Sequence, residues 1–429
     1  AAARISEKLE REGRSSKEIL SHIEANLHGM DIDPFLCKLS TIFLRMVVAK
    51  HIIKAGYEPN FHVQCGDALI SKTLGVGTYG LVLCNPPYRK LARTEVAPYA
   101  FDYRNLIHGQ PNAYTLFIGL ATSLVKSNGL AVFLTPMSFI SGQSFTPLRR
   151  HLTLTGSVNQ IDLIHDKTRM FLGAEQDSAI TVWQKKRNSK ATRIYTLSRD
   201  GSWELTGNPK LHASDAPWPL PRETVDAELL PLFQVKPHTL LSYGYVVRTG
   251  CVVMHRNRRK LYNRYPKATN TRCVLPLIWQ SDISYKGTLE FEESNDNLAR
   301  YIDMTSFSAA GVIKKPAVAV QRVTSNDQRR RLICAVVPNY MYSKFGGVVG
   351  ENHVCFIEQM NQSAAVEAKL LCSILRTEII DRLFRCISGA TNVSAYELQA
   401  LPLPPPEKVK SRVRAGIPIE TAVREAFGL

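Results

Sequence analysis

Leu81-Val82-Leu83-Cys84-Asn85-Pro86-Pro87-Tyr88 joins a short apolar run to a rigid polar corner. The run reads as a buried parallel strand, which puts the tetrapeptide where that strand ends. In open α/β sheets, ligands bind outside the carboxyl ends of the strands. At such an edge Asn85 offers an amide oxygen, Pro86 a main-chain carbonyl and Tyr88 an aromatic face, with Pro87 stiffening the unit. That set suits an exocyclic amine on a flat ring. Two plainer readings stand beside it: Asn-Pro as a simple turn, and a proline-rich ligand. The second lacks the spacer residue of the usual Pro-Pro-x-Tyr ligand.

Outward from this corner, helix-like and strand-like segments alternate, the pattern of a parallel sheet with crossover helices. Strands are expected at Leu27 to Ile32, Phe61 to Gln64, Leu81 to Cys84, Leu130 to Thr135, Ser157 to Ile164 and Ala179 to Gln184. Ala1 to Arg11 reads as helix. Asp33-Pro34 opens another, with Asp33 as N-cap and Pro34 at the first position; it runs to about Gly56. Asn112 to Val125 is a third, ended by Gly129. The expected fold class is α/β, a doubly wound Rossmann-like sheet over residues 1–190. Residues 191–240, basic and then proline-rich, read as the interdomain region. From about Tyr243, short β-branched runs (Tyr245-Val246-Val247, Val318-Ala319-Val320, Val348-Val349) suggest a second, α+β domain over 241–406. Helix returns at Ser363 to Phe384, and 407–429 reads as a helical tail.

The 429 residues suffice for two or three domains, and 45% hydrophobic content is ordinary for a globular protein. No apolar run approaches the roughly 20 residues of a membrane helix, and Ala1 to Glu10 is too charged for a signal peptide. The formal net charge of +17 suits a polyanionic partner, most simply nucleic acid, or a basic solvated surface. Nine scattered cysteines without a CxxC pair fit a reducing cytoplasm and argue against a zinc ribbon or disulfide framework.

Two acids stand at strand ends as Asn85 does. Asp31, in His28-Gly29-Met30-Asp31-Ile32-Asp33-Pro34, is placed to bind ribose hydroxyls. Asp67, in Cys65-Gly66-Asp67-Ala68, is placed to accept from an adenine amine. Taken singly, either serves equally as a cap or turn residue; the ordered series Asp31, Asp67, Asn85 is harder to obtain by chance. The whole resembles a gamma-class N6-adenine DNA methyltransferase of bacterial restriction–modification systems, with a C-terminal target-recognition domain. The resemblance implies S-adenosyl-L-methionine as cofactor, Asp31, Ile32, Asp67 and Phe117 around it, and Asn85, Pro86, Pro87 and Tyr88 as the catalytic motif. It also implies that Phe171, in Met170-Phe171-Leu172-Gly173, stacks on a flipped base opposite Tyr88, although a core aromatic explains Phe171 equally well. The family's glycine-rich cofactor loop has no counterpart before Asp31, so the chain reads as beginning in the helix after that loop. A fragment and a catalytically silent paralogue both fit, and weak cofactor binding by these residues alone is expected.

In the second half, Arg248 to Arg272 has no acidic residue and carries Arg256, Arg258, Arg259, Lys260, Arg264 and Lys267 with Tyr262 and Tyr265 interleaved. Such a stretch can neutralise phosphates; the alternative is a solvated basic loop. Gln321-Arg322 and Arg329-Arg330-Arg331 form a second cluster. Arg256, Arg258, Arg259, Lys260, Arg322 and Arg330 are the candidate DNA contacts, and no metal site is expected, Glu351 and His353 reading as a hydrogen-bonded pair. The implied partner is double-stranded DNA, with a cognate restriction endonuclease as a further candidate and no membrane. A fused restriction–methylation enzyme, a DNA-binding specificity module, and a protein or RNA methyltransferase are the competing readings; the basic second half favours DNA.

Overall fold

Asp33 starts its helix as the sequence predicts. Its Oδ1 accepts from Phe35 N at 2.8 Å and Leu36 N at 3.4 Å, capping α3 (Pro34–Val47). The computed structural model describes residues 1–164, 177–186, 190–198, 200–234, 237–257, 260–266, 273–305, 311–324, 328–360, 363–389 and 392–429. Two helices, α1 (Ala2–Arg11) and α2 (Ser16–Asn26), precede β1 (His28–Asp31). The single helix expected up to Gly56 is broken at Val48, and α4 (Ala49–Ala55) ends on Gly56 in the left-handed region. That residue type is the usual solution for a helix C-terminus.

The first half is α/β, but its sheet is divided. Among the described residues, β1 pairs in parallel only with β2 (His62–Cys65), which sets Asp31 opposite Cys65. A separate six-stranded sheet runs β3-β4-β6-β5-β7-β8, with β3 (Tyr79–Cys84), β4 (Val125–Pro136), β5 (Ser157–Ile164), β6 (Ser178–Gln184), β7 (Arg193–Leu197) and β8 (Trp203–Gly207). The two pieces meet where His28, at the start of β1, stands edge-on to Tyr79, at the start of β3, with ring centroids 5.6 Å apart.

Three expectations are corrected here. The run Leu81 to Cys84 is a parallel strand but not a buried one. Among the described residues β3 pairs only with β4, and Leu81 and Leu83, which share one face of the strand, are 53% and 59% exposed. The sheet is not parallel throughout: β6 lies antiparallel between β4 and β5. An inserted antiparallel strand needs only a return loop, and local alternation cannot distinguish it from a crossover. Gly129 does not terminate the helix Ala113–Leu124; it lies within β4, beyond Asn128 at φ 63°.

The described residues of the basic and proline-rich stretch after β6 are structured. β7 and β8 extend the sheet from β5. Beyond them, Trp218 and Leu220 are buried, with Trp218 edge-on to Phe139 at 6.0 Å. Arg222 then donates from Nε to Arg385 O at 3.1 Å and from Nη2 to Ser388 O at 2.5 Å. The segment is thus a wedge between the two halves of the chain.

The second half is α+β. One four-stranded sheet runs β14-β13-β16-β9, from β9 (Tyr245–Thr249), β13 (Ala317–Gln321), β14 (Cys334–Val336) and β16 (Val354–Gln359). The other runs β10-β12-β11-β15, from β10 (Leu261–Tyr262), β11 (Val274–Ile278), β12 (Tyr301–Asp303) and β15 (Val349–Gly350). The helices Ala368–Leu375 and Glu378–Ile387 pack Leu371, Ile374, Leu375, Ile380, Leu383 and Phe384 into the main core of this half. Two further helices, Pro406–Arg414 and Ile419–Phe427, form the tail. Among the described residues, no helix is long and apolar enough to cross a membrane, and no cluster of three or more His, Cys, Asp or Glu could hold a metal ion.

Candidate active site

The corner after β3 is held from both sides. Pro86 is buried beneath it, while Asn85, Pro87 and Tyr88 are exposed. The single Tyr88 hydroxyl hydrogen is shared between two acceptors, Asn85 Oδ1 at 3.0 Å and the carbonyl of Leu134, on the neighbouring strand β4, at 2.9 Å. The side chain therefore ties the amide to the sheet. Downstream, Leu91 N donates to Pro111 O and Ala113 N to Arg89 O, at 2.9 and 2.8 Å. These bonds pin the corner to the start of the helix Ala113–Leu124, where Asn112 is the N-cap.

Asn85 is built to accept. Its Oδ1 uses one lone pair for Tyr88, which leaves the second for another N–H donor. Partial burial pushes the Tyr88 hydroxyl up to about 12, so at neutral pH it is a neutral donor and cannot act as a base. The Cys84 thiol just before the corner is pushed up to about 11 by burial and stays protonated, which removes it as a nucleophile at neutral pH.

Asp31 and Asp67 stand together at the carboxyl end of the β1–β2 pair, where Gly66 N donates to Asp31 O at 2.8 Å. Asp31 is exposed; its Oδ1 accepts from Asp33 N at 2.9 Å. Ile32 beside it is 70% exposed, an apolar surface at the strand end. Asp67 is half-buried, with Oδ1 accepting from Leu69 N at 2.9 Å and Oδ2 from the Tyr99 hydroxyl at 2.7 Å. That bond to the Asp67 carboxylate raises Tyr99 to about 12. Phe117 and Tyr99 pack against one apolar cluster, Leu69, Leu91, Val96, Ala113 and Leu116. Through Leu69 and Leu91, the Asp67 turn and the segment following Tyr88 share that cluster. The acceptor set suits a ribosylated adenine: carboxylate oxygens at Asp31 and Asp67, each with unused lone pairs, and Ile32 and Phe117 as apolar side chains.

Tyr99 and the Leu134 carbonyl are the site groups that sequence reasoning missed. Each meets its partner only through folding, and no local spacing marks either one. Phe171 lies outside the described residues, as do Arg258 and Arg259. Arg256 is exposed on the short helix Met254–Asn257, and Lys260 is half-buried. Arg322 is half-buried and donates to Asn352 O at 2.9 Å. Arg330 donates to the Arg376 carbonyl. Its neighbour Arg331 is fully buried, bonded to the Thr324 carbonyl and to Ser388 Oγ at 3.0 Å, and so is part of the internal scaffold.

Residues 25–171 match the Eco57I restriction-modification methylase family. The chain is 24% identical over 365 residues to the type II methyltransferase M.PstI of Providencia stuartii, spanning 77% of this chain and 66% of that protein. It is 23% identical over 411 residues to the type II methyltransferase M.BsuBI of Bacillus subtilis, spanning 89% and 77%. In fold it is similar to the type IIL restriction-modification enzyme MmeI, solved in complex with DNA, at a TM-score of 0.60 and 11% identity over 94% of this chain and 63% of that one. A nuclease-deletion mutant of the type ISP enzyme LlaGI, bound to a DNA substrate mimic, superposes with a TM-score of 0.50 at 12% identity over 88% and 46%. Residues 25–171 thus resemble the Eco57I restriction-modification methylases, and the chain as a whole is similar to type II methyltransferases.

Proposed function

We propose that this protein transfers a methyl group from S-adenosyl-L-methionine to N6 of adenine in duplex DNA, in the cytoplasm, as the modification activity of a restriction–modification system. The observation that carries the reading is the exposed Asn85 amide oxygen. It is fixed by Tyr88 at the carboxyl end of β3, while Asp31 and Asp67 stand at the carboxyl end of the separate β1–β2 pair, and Leu69 and Leu91 join the two turns through one apolar cluster.

Adenine N6 is a weak nucleophile because its lone pair is delocalised into the ring. Asn85 Oδ1 and the Pro86 carbonyl accept its two N–H bonds and draw the nitrogen toward tetrahedral geometry. The lone pair is then localised without a strong base in the pocket, and a proton leaves the nitrogen after transfer. Tyr88 stacks on the base, which must first leave the duplex because N6 cannot be approached in line while stacked. Asp31 takes the ribose hydroxyls of the cofactor, Asp67 its adenine amine, and Ile32 and Phe117 flank its ring. When bound, the cofactor supplies an electrophilic sulfonium methyl. The basic second half, with Arg256, Arg258, Arg259, Lys260, Arg322 and Arg330, contacts the duplex, and Phe171 faces Tyr88 across the flipped base. A cognate restriction endonuclease would act on the same sequence.

Asn85→Ala in the full-length protein should abolish methyl transfer to a duplex oligonucleotide while leaving its affinity for that duplex nearly unchanged. Wild-type turnover by Asn85→Ala removes this residue from the mechanism.

A further inference from the structure

The second half holds a cleft of about 340 Å³ lined by Trp279, Gln280, Ser281, Val323, Glu351 and His353. Its walls are fixed from behind. Glu351 is buried, and its carboxylate grips His353 twice: Oε1 lies 2.9 Å from Nδ1, and Oε2 accepts from the His353 backbone N–H at 2.9 Å. The main chain around Glu351 cannot shift easily. Glu351 N donates to Ile278 O at 3.0 Å, and a Cβ on Gly250 would lie 2.0 Å from the Glu351 carbonyl. With Nδ1 held inward, Nε2 is the outward nitrogen of a ring whose side chain is 52% exposed. Opposite, Val323 is 40% exposed, and its N–H and C=O are both taken by the Gln280 amide at 2.9 Å. Trp279 is anchored through Nε1 to Ala299 O at 2.6 Å.

The cleft also has a direct connection to the catalytic strand. Val323 bridges Asn392, and Val393 N donates to Arg322 O at 2.7 Å. A few residues earlier, Gly389 N donates to Ser141 Oγ at 3.0 Å, and a Cβ there would lie 2.4 Å from Met137 O. Met137 follows Pro136, the last residue of β4, whose Leu134 carbonyl receives the Tyr88 hydroxyl. Contacts at both ends of the segment 389–393, at Gly389 and at Asn392 and Val393, thus link the end of β4 with the cleft wall.

We propose that this cleft reads one base pair of the duplex within the sequence to be methylated. His353 Nε2 hydrogen-bonds a base edge, and Val323 and Trp279 form an apolar wall beside it. Major-groove edges differ in their donors, acceptors and thymine methyl, so one preset imidazole beside an apolar wall discriminates among them. The buried Glu351 carboxylate acts through His353 as a positioning residue. This rests on the DNA methyltransferase reading above and adds to it the groups that select sequence.

The test is methylation-sensitive sequencing of DNA from a methylation-deficient host expressing the full-length wild type or His353→Ala. The quantity measured is methylation at cognate sites relative to sites with one changed base. In His353→Ala that ratio should fall at a single position, by roughly two- to thirteenfold, as expected for removal of one hydrogen bond to a base edge. Val323→Ala, on the facing wall, should erode discrimination at the same or the adjacent base pair, and it carries the test if His353→Ala fails to fold. Unchanged ratios, or losses spread equally over all sites, would overturn the assignment. Absence of methylation by the wild type overturns the methyltransferase reading itself, and the cleft with it.

Discussion

Tyr88→Phe removes one oxygen atom and separates the two tasks assigned to this side chain. The hydroxyl holds Asn85 Oδ1 at 3.0 Å while also bonding Leu134 O at 2.9 Å; the ring is 44% exposed and stands edge-on to Tyr114 at 6.5 Å. Phenylalanine keeps the ring and loses the tether. A neutral hydrogen bond contributes about 0.5–1.5 kcal/mol net. If all of that energy orients the amide in the transition state, turnover falls roughly two- to thirteenfold, since each 1.36 kcal/mol is a factor of ten. Tyr88→Ala also loses base stacking, about 1–3 kcal/mol more, and should fall well below Tyr88→Phe. Single-turnover transfer of a radiolabelled methyl group to a duplex oligonucleotide measures both effects. A fluorescent adenine analogue at the target position reports base extrusion in parallel. Tyr88→Phe should lower kcat with little change in KM for DNA and retain the extrusion signal; Tyr88→Ala should lose that signal. Wild-type turnover by Tyr88→Phe would show that Asn85 needs no such tether. A loss in Tyr88→Phe as deep as that of Asn85→Ala would show that the hydroxyl does more than orient.

Two further outcomes follow from geometry outside the Asn85 corner. Gly389→Ala places a methyl group 2.4 Å from Met137 O and 2.8 Å from Ser141 Oγ at the joint between the two halves. Overpacking of this kind costs about 1–3 kcal/mol, so the thermal unfolding midpoint should drop, and an unchanged midpoint would mean that the joint relaxes freely. If the basic stretch meets the duplex, Arg256→Ala with Lys260→Ala should flatten the dependence of log K on log salt by up to about 2, near 0.9 for each phosphate no longer neutralised. An unaltered slope in a fluorescence-anisotropy titration would take those two residues off the DNA.

Local chemistry already marks much of the site in the linear chain. Asp33-Pro34 is a helix start because an Asx cap and a proline at the first position need only their neighbours. Asn85 follows the apolar run Leu81 to Cys84, and the structure keeps all three groups at strand ends: Asp31 closes β1, Asp67 lies two residues past β2 and Asn85 directly follows β3. Strand direction and exposure were not legible. Ser178 to Gln184 has the same local pattern whether it runs parallel or antiparallel, and Leu81 and Leu83 look like core residues until the sheet is seen to leave them at an edge. Nor does a cluster such as Arg329-Arg330-Arg331 reveal which guanidinium faces solvent: Arg331 is buried against Thr324 and Ser388, and Arg330 reaches the Arg376 carbonyl.

The sequence by itself therefore determined the kinds of chemical group and their order along the chain: an amide and two carboxylates at successive strand ends, followed by a basic second half. Tertiary structure alone decided which partners set those groups. Tyr99 on Asp67 and Leu134 beneath Tyr88 are pairings of this kind, each reaching its partner from a distant segment. The Glu351–His353 pair was legible in the sequence, and folding added only the packing of the Glu351 main chain against Gly250 and Ile278. The physical reason is range. Caps, turns and strand alternation depend on neighbours a few residues away, whereas side-chain orientation depends on contacts that form only once the layers have packed.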